Sequence, residues 1–459
     1  MPAPITYLTE KAAKARYWNE LIETMPREQL DALHLKKLQK LVAYAYEFSP
    51  FYRRRFDDAG LNPGDIRSLE DYRHKVPLTE KQDFIHLQQE RPPYGDTLAL
   101  PHEMLAHHVE TSGSTGLPLA VPYSAYDTER VGESWTYGMW AHGIRPSDSF
   151  YFAFNWGNFA GFWSCYFAAR RMGCRVISGG GADSKGHIAA IKRLKPTVLI
   201  STPTFALRLA EVAKEMGEDI RNSSIKYTYH AGEPGPFALP AMKAQIDEAW
   251  GADSGELLGI AEIEAFGPGC ARRDGVHVNE MAVYSWSMDP ATGEETPAGE
   301  IGENVISSYT YSAQPLLNYR SHDLVRRSRD CPCGCTWDKF EGVVLGRTDF
   351  MVTVRGTNVY QTAVENIIGE IGGVSPFYQL VLDHEGSNDK MTIEFEPDKS
   401  VKDADWPSLA QEVQDRIHKA LHVRLETKPM APDSLPRYDL KTKRIIDNRP
   451  KELRRALDR

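Results

Sequence analysis

Apolar positions early in the chain recur at helical spacing. Leu30, Leu33, Leu38, Leu41 and Ala45 fall near one face, and Ser49-Pro50 stops the run. Arg53, Arg54 and Arg55 follow as a solvated face, and Thr79 stands where it can cap a short helix. From residue 119 to about residue 310, strand-like and helix-like pieces alternate. Strands are expected over 119–123, 150–154, 174–178, 197–201 and 225–229, with helices over 159–171, 187–194 and 205–216. This alternation predicts βαβ units and a largely parallel sheet. Ligands of such sheets bind beyond the carboxyl ends of the strands. Ser201-Thr-Pro-Thr and His230-Ala-Gly-Glu-Pro fall at two of those ends.

After residue 348 the texture changes. A strand over 351–354, a helix over 362–371 and an alternating strand over 391–396 lead to an amphipathic helix over 406–421, with Leu409, Val413, Ile417 and Leu421 four residues apart. The expected fold class is therefore α/β: a large N-terminal domain over 1–348 with βαβ-rich sheets, and a small α+β C-terminal domain over 349–459. A chain of 459 residues is too long for one ordinary core. There is no internal repeat and no low-complexity tract.

Composition narrows the functional classes. Hydrophobic residues make up 41% and charged residues 25%, as in ordinary globular proteins. A net charge of -9 argues against a general nucleic-acid binder, which carries a basic surplus, but allows an anionic small molecule in a local basic pocket. The N-terminus lacks the apolar core of a signal peptide, and no apolar run of about 18 residues occurs. The expectation is a cytoplasmic protein with neither a membrane span nor a nucleic-acid partner.

The stretch with the most chemistry is Thr-Ser-Gly-Ser-Thr-Gly-Leu-Pro over 111–118. Small residues let the backbone approach a ligand closely, and consecutive N–H groups in such a turn form a nest for an anion. Leu117 stands where a Walker A loop would need its lysine. Alone, such a stretch is more often an ordinary flexible loop than an anion site. Further signatures follow in a definite order: Ala231-Gly232-Glu233-Pro234 after a strand, Leu-Gly-Ile-Ala-Glu ending at Glu262, Tyr-Arg-Ser-His-Asp ending at Asp323, Gly-Arg-Thr-Asp over 346–349, and Leu-Pro-Arg-Tyr-Asp-Leu-Lys ending at Lys441.

Taken in this order, these signatures resemble the adenylate-forming superfamily of acyl-CoA synthetases and, within it, the phenylacetate–CoA ligase group. The resemblance spans residues 17–449. It implies the adenylate-forming fold, whose C-terminal domain is mobile, and a two-step reaction. A carboxylate attacks the α-phosphate of ATP to give an acyl-adenylate and pyrophosphate, and the thiol of coenzyme A then displaces AMP. By the same resemblance, Thr111, Ser112, Gly113, Ser114, Thr115 and Gly116 hold the departing phosphates. Ala231, Gly232, Glu233 and Pro234 line the adenine, Asp323 accepts the ribose hydroxyls and Arg347 adds a charge-assisted contact. Glu262 helps bind Mg²⁺. Lys441 bridges carboxylate and phosphate oxygens as charge builds up. Asp349 resembles the hinge and Gly356 lies on the coenzyme A side. A homodimer is common in the group.

This chain departs from the group in places. Leu258 and Ala261 stand where an aromatic residue and a hydroxyl are usual, and Leu440 replaces the glycine before Lys441, leaving Lys443 as an alternative to it. The leading reading is an aryl-acid–CoA ligase. The alternatives are an adenylating enzyme that acylates an amine or a carrier-protein thiol, and a non-catalytic nucleotide-binding relative.

Six cysteines in so long a chain do not make a disulfide framework. Cys165 and Cys174 read as small hydrophobes. Cys331, Cys333 and Cys335 cluster within one turn, and clustered cysteines of a cytosolic chain read as metal ligands more often than as disulfides. Cys270 and His277 can complete a structural zinc site; the expected set is Cys270, His277, Cys331 and Cys333, with Cys335 as the alternative fourth ligand. The other reading is a reduced, metal-free turn. For the acyl pocket, the resemblance points to residues 154–161 and 229–231. There Trp156 and Phe159 either sandwich an aromatic ring or pack in the core, beside Tyr229 and His230. Asn155, Asn158 and His230 hint at a polar-substituted acid rather than plain phenylacetate.

Overall fold

The structure, a computed structural model, describes residues 14–111, 118–154, 156–158, 160–348, 352–354, 357–359, 361–385, 388–421, 423–437 and 444–449. Helix α1 (Arg27–Phe48) buries Leu30, Leu38, Leu41 and Ala45. Pro50 then opens α2 (Pro50–Asp58) at its first helical position, where the N–H it lacks would have no partner anyway. Phe51, Tyr52 and Phe56 face inward, and Arg53 and Arg54 face solvent. Ser68 caps α3 (Leu69–Lys75). Helix α4 (Lys81–Glu90) exists as expected, but Glu80 rather than Thr79 occupies its cap. Thr79 is fully buried, donates its hydroxyl to the Leu317 carbonyl at 2.8 Å and bridges to Tyr319, so strand pairing has claimed it.

Strands β1 (Leu105–Glu110) and β2 (Ala120–Ser124) pair antiparallel. Helix α5 (Ala125–His142) follows, opened by the reciprocal Ser124–Asp127 capping box and closed by Gly143 at φ 102°. Next, β3 (Ser149–Phe152), α6 (Ala160–Met172), β4 (Arg175–Ser178), α7 (Ser184–Leu194), β5 (Val198–Ser201), α8 (Pro203–Glu215), β6 (Tyr227–His230), α9 (Pro240–Trp250), β7 (Asp253–Ile260) and β8 (Glu264–Pro268) build the central sheet. Its order is β4-β3-β5-β6-β7-β8. The pairings are parallel through β7, and only β8 runs antiparallel.

The parallel pattern therefore ends well before residue 310. Strands β9 (Gly275–His277), β10 (Val283–Met288), β11 (Ile301–Ser308), β12 (Leu316–Ser328) and β13 (Lys339–Arg347) form an antiparallel sheet in the order β10-β11-β12-β13-β9. No crossover helix separates them, which is the connection a parallel pair needs.

Beyond β13 come the pair β14 (Val352–Val354) and β15 (Thr357–Val359), then α10 (Gln361–Gly369), β16 (Val374–Glu385), β17 (Asn388–Pro397), α11 (Trp406–Leu421), β18 (Glu426–Pro429) and β19 (Ile445–Asp447). The last sheet has the order β18-β17-β16-β19. Val364, Ile368, Leu380, Ile393, Val413 and Ile417 form a core of their own here. Burying an aliphatic side chain of this size stabilises by roughly 1.5–3 kcal/mol. Among the described residues, no helix is long and apolar enough to cross a membrane.

Candidate active site

The loop after β1 has a fastened neck. The Thr111 N–H donates to the Leu119 carbonyl at 3.0 Å, and the Leu119 N–H donates back to the Thr111 hydroxyl at 2.9 Å. Thr111 is thus a clasp, with its hydroxyl occupied from inside the protein. Ser112, Gly113, Ser114, Thr115 and Gly116 lie outside the described residues, as do Phe159, Asn155, Asp349, Gly356, Leu440, Lys441 and Lys443. At the root of the same loop, the Glu110 N–H donates to the Asn158 carbonyl at 2.7 Å. That bond joins the phosphate-loop candidate to the segment after β3.

Two strand-end loops meet beside it. Glu233, after β6, accepts the Thr204 hydroxyl at 2.7 Å, which ties the Ala231-Gly232-Glu233-Pro234 turn to the start of α8. Gly232 takes φ 91°, the left-handed region that favours glycine. Below the turn, the buried Glu256 of β7 accepts the N–H groups of Gly235, Phe237 and Ala238 at 3.0, 2.7 and 3.3 Å. Burial raises its carboxyl to about 7 against those hydrogen bonds.

The antiparallel sheet supplies a charge pair. Asp323 on β12 lies opposite Arg347 on β13, and the Arg347 guanidinium donates to the nearly buried Asp323 carboxylate at 2.7 Å. Glu262 occupies the turn between β7 and β8, with Lys81 of α4 at 3.7 Å and Tyr319 of β12 beside it. Sequence reading missed Lys81, which arrives through the Thr79–Tyr319 bridge.

The residues suggested for the acyl pocket divide. Tyr229 is fully buried with its ring centroid 6.0 Å from Trp135 and 5.5 Å from His142, so it packs in the core. His230 is also fully buried: Nε2 lies 2.9 Å from the Thr228 hydroxyl, and Nδ1 lies 3.2 Å from the Ser201 carbonyl. Burial pushes its imidazole down to about 3, so it is neutral, and both ring nitrogens are engaged within the protein. Trp156 is partly exposed and joins a run of rings. Its centroid is 4.9 Å from Trp163, which is 5.2 Å from His107, which stacks on Tyr123 at 6.1 Å. Beside Tyr123 stands Glu264, the first residue of β8, 3% exposed at φ 59°. The sequence signal for it was a lone acid in the apolar stretch Ile-Glu-Ala-Phe.

A second cluster lies apart from these groups. Cys270, His277, Cys331 and Cys333 bring their ligand atoms within 4.8 Å of one another. The Cys270 and Cys331 sulfurs are 3.7 Å apart, and His277 Nε2 is 3.2 Å from the Cys333 sulfur. His277 Nδ1 faces the Trp337 carbonyl at 3.1 Å, which orients the ring. Cys335 is buried outside this foursome and directs its N–H to the Cys333 sulfur. Tyr17 donates to the Cys333 carbonyl at 3.1 Å, so the cluster gathers the N-terminal segment, the turn after β8, β9 and the β12–β13 turn.

Comparison with known proteins places these features in a wider set. The family model for AMP-binding enzymes matches residues 73–313, and that for the AMP-binding enzyme C-terminal domain matches residues 356–449. A phenylacetate–coenzyme A ligase of Thermus thermophilus is 35% identical over 408 residues, covering 87% of this chain and 88% of that one. The crystal structure of a 2-hydroxyisobutyryl-CoA ligase in the postadenylation state superposes with a TM-score of 0.89 at 31% identity, over 98% of this chain and 96% of that one. The same ligase with 2-HIB-AMP and CoA in the thioesterification state gives 0.72 at 32% identity, over 97% and 95%.

Proposed function

The chain belongs to the AMP-binding enzymes, among the phenylacetate–coenzyme A ligases and their relatives, and is an ATP-dependent, AMP-forming acid–thiol ligase; from that premise we propose that it activates an aromatic carboxylate. The observation that carries the aromatic reading is the run of rings Trp156, Trp163, His107 and Tyr123, which leads from the segment after β3 to the Tyr123 hydroxyl at the Ala261 carbonyl, next to Glu262 in the chain. Flat rings of this kind stack on an aryl group at centroid distances of about 4.5–7 Å. Pyrophosphate release with aryl acids and with aliphatic acids of equal size tests it. A kcat/KM favouring aryl acids is expected, and preference for the aliphatic set would remove the reading. A small hydroxy acid is the second reading, supported by the likeness to the 2-hydroxyisobutyryl-CoA ligase.

The roles proposed follow the family's order of signatures. Residues 112–116, which follow the clasp residue Thr111 in the chain, hold the β- and γ-phosphates. Asp323, braced by Arg347, accepts the ribose hydroxyls, and the turn over 231–234 borders the adenine. Glu262 offers Mg²⁺ a single carboxylate, which suits an ion that keeps waters and substrate phosphate oxygens as its other ligands. When bound, that ion neutralises charge on the phosphates. Lys441, or else Lys443, brings a cation to the reacting oxygens. The small domain over 349–459 turns at Asp349 between the half-reactions and presents the Gly356 side to coenzyme A. The higher superposition on the postadenylation structure supports reading this arrangement as the first-stage one. Product formation with coenzyme A, an amine or a carrier protein separates the acceptors. A cytoplasmic homodimer is part of the same reading, with sedimentation as its check.

The Cys/His cluster fits structural zinc. Tetrahedral Zn–S bonds of about 2.3 Å place two sulfurs about 3.8 Å apart, and the observed edge is 3.7 Å. Three thiolates and one oriented imidazole leave no open position for chemistry.

A further inference from the structure

Glu264 is an anomaly for a structural residue. Its carboxyl is enclosed by Tyr123 of β2, Ser164 of α6 and Tyr311; the Ser164 and Tyr123 hydroxyls hydrogen-bond to it, while its Oε2 has no partner among the described residues. The Ser164 hydroxyl is shared, since it also lies 2.8 Å from Trp135 Nε1 and 2.9 Å from the Gly161 carbonyl. Among the described residues no cation pairs with Glu264, and burial raises its carboxyl to about 8, so it holds its proton at neutral pH. A neutral carboxyl offers one O–H donor and an acceptor. A second orphan lies close by: His107 faces Tyr123 across the β1–β2 ladder, and its buried Nε2 also lacks a partner among the described residues. Burial lowers its imidazole, so it too is uncharged. Native interiors leave few such atoms unpaired.

The location gives these atoms a purpose. Strands β1 and β2 flank the phosphate-loop candidate, Glu264 follows Glu262 by two residues, and α6 starts where the β3 segment meets Glu110. His230, the polar residue suggested by sequence, is saturated by Ser201 and Thr228. We propose that Glu264, seconded by His107, is the specificity-determining group of the acyl pocket and selects a carboxylic acid bearing a neutral hydrogen-bonding substituent, a hydroxyl or an amino group. The proposal rests on the acid–CoA ligase reading. Aromatic side chains, Tyr123, Trp163 and Tyr311, pack around the two orphans, so the rest of the acid is apolar. A pocket with buried polar groups rejects the analogue that leaves them unpaired.

The test measures acid-dependent pyrophosphate release in matched pairs: hydroxyphenylacetate against phenylacetate, aminobenzoate against benzoate, and hydroxyisobutyrate against pivalate. The wild-type protein is expected to favour the substituted member of at least one pair by about tenfold or more in kcat/KM, and the pair that responds distinguishes aromatic from aliphatic acids. Glu264→Leu is expected to lower that ratio at least about tenfold, while Glu264→Gln, which keeps a donor and an acceptor, holds it within about threefold. An unchanged ratio in Glu264→Leu overturns the assignment. If that variant does not fold, the wild-type pairs decide alone, and equal kcat/KM within every pair overturns it. No pyrophosphate release with any acid overturns the ligase reading itself, and the assignment falls with it.

Discussion

Asp323 and Arg347 face each other at 2.7 Å on adjacent strands, so the carboxylate is held in place before a nucleotide arrives. A hydrogen bond to a charged acceptor is worth about 1.5–3 kcal/mol. Asp323→Ala is therefore expected to raise the KM for ATP by about 10–100-fold with a smaller loss in kcat, read by steady-state pyrophosphate release. An unchanged KM would move the ribose site elsewhere. The buried histidines set a separate expectation. Burial holds His142 down to about 4 and His230 to about 3, below the ordinary 6.5. Below pH 6.5 the unfolded chain takes up protons that the folded one refuses, so stability falls as pH falls, down to about pH 4 for His142 and pH 3 for His230. Each group contributes at most about 1.4 kcal/mol per pH unit. His230→Gln is expected to flatten the loss of urea stability between pH 6 and pH 4; an equally steep loss would contradict the assignment. Glu264 acts in the opposite sense. Its folded carboxyl, raised from 4.5 to about 8, keeps a proton the unfolded chain releases, so its contribution falls as pH rises through that window.

The β12–β13 hairpin is the element on which the account leans. It carries Asp323 and Arg347 along its strands, and its turn holds Cys331 and Cys333 beside Cys270 and His277. Metal analysis is expected to find about one zinc per chain, and Cys331→Ser to lower the thermal midpoint by several degrees with loss of that zinc. A metal-free protein of unchanged stability would leave the cluster as reduced thiols. Elements set off by helical spacing or by polar flanks were legible in the sequence. Helix α1 and strands β3 to β6 came out nearly in place, because Leu30, Leu38 and Leu41, or short runs such as Val198–Ser201, stand out against polar neighbours. The strands from β9 to β13 were not, since polar residues within them such as Ser285, Ser287 and Asn304 are themselves buried and mark no outer face. The site shows the same divide. Asp323, Arg347 and Glu262 are proposed from ordered signatures, and Cys270 with His277 from thiol spacing. Glu264, His107 and Trp163 were missed, because their unpaired atoms and ring contacts exist only after β1, β2, α6 and β8 have come together.

At the scale of the molecule, the small unit has its own core and meets the large one at α9 and α10. A Cβ placed on Gly369 of α10 would lie 3.4 Å from that of Ala241 of α9. That spacing is close to the roughly 3.5–4.5 Å of a disulfide. Ala241→Cys with Gly369→Cys is expected to lock the present arrangement on oxidation. Acyl-adenylate formation should then persist while thioester formation falls at least about tenfold and returns on reduction. Equal thioester formation in both redox states would mean that no turn of the small domain is needed. The most direct measurement is pyrophosphate and thioester release by the wild-type protein and by Lys441→Ala. The account predicts pyrophosphate only when an acid is present and thioester only when coenzyme A is added. It also predicts adenylation slowed about 10²–10³-fold in Lys441→Ala, with ATP still bound. Acid-independent pyrophosphate release, or a Lys441→Ala variant that adenylates at the wild-type rate, would contradict it.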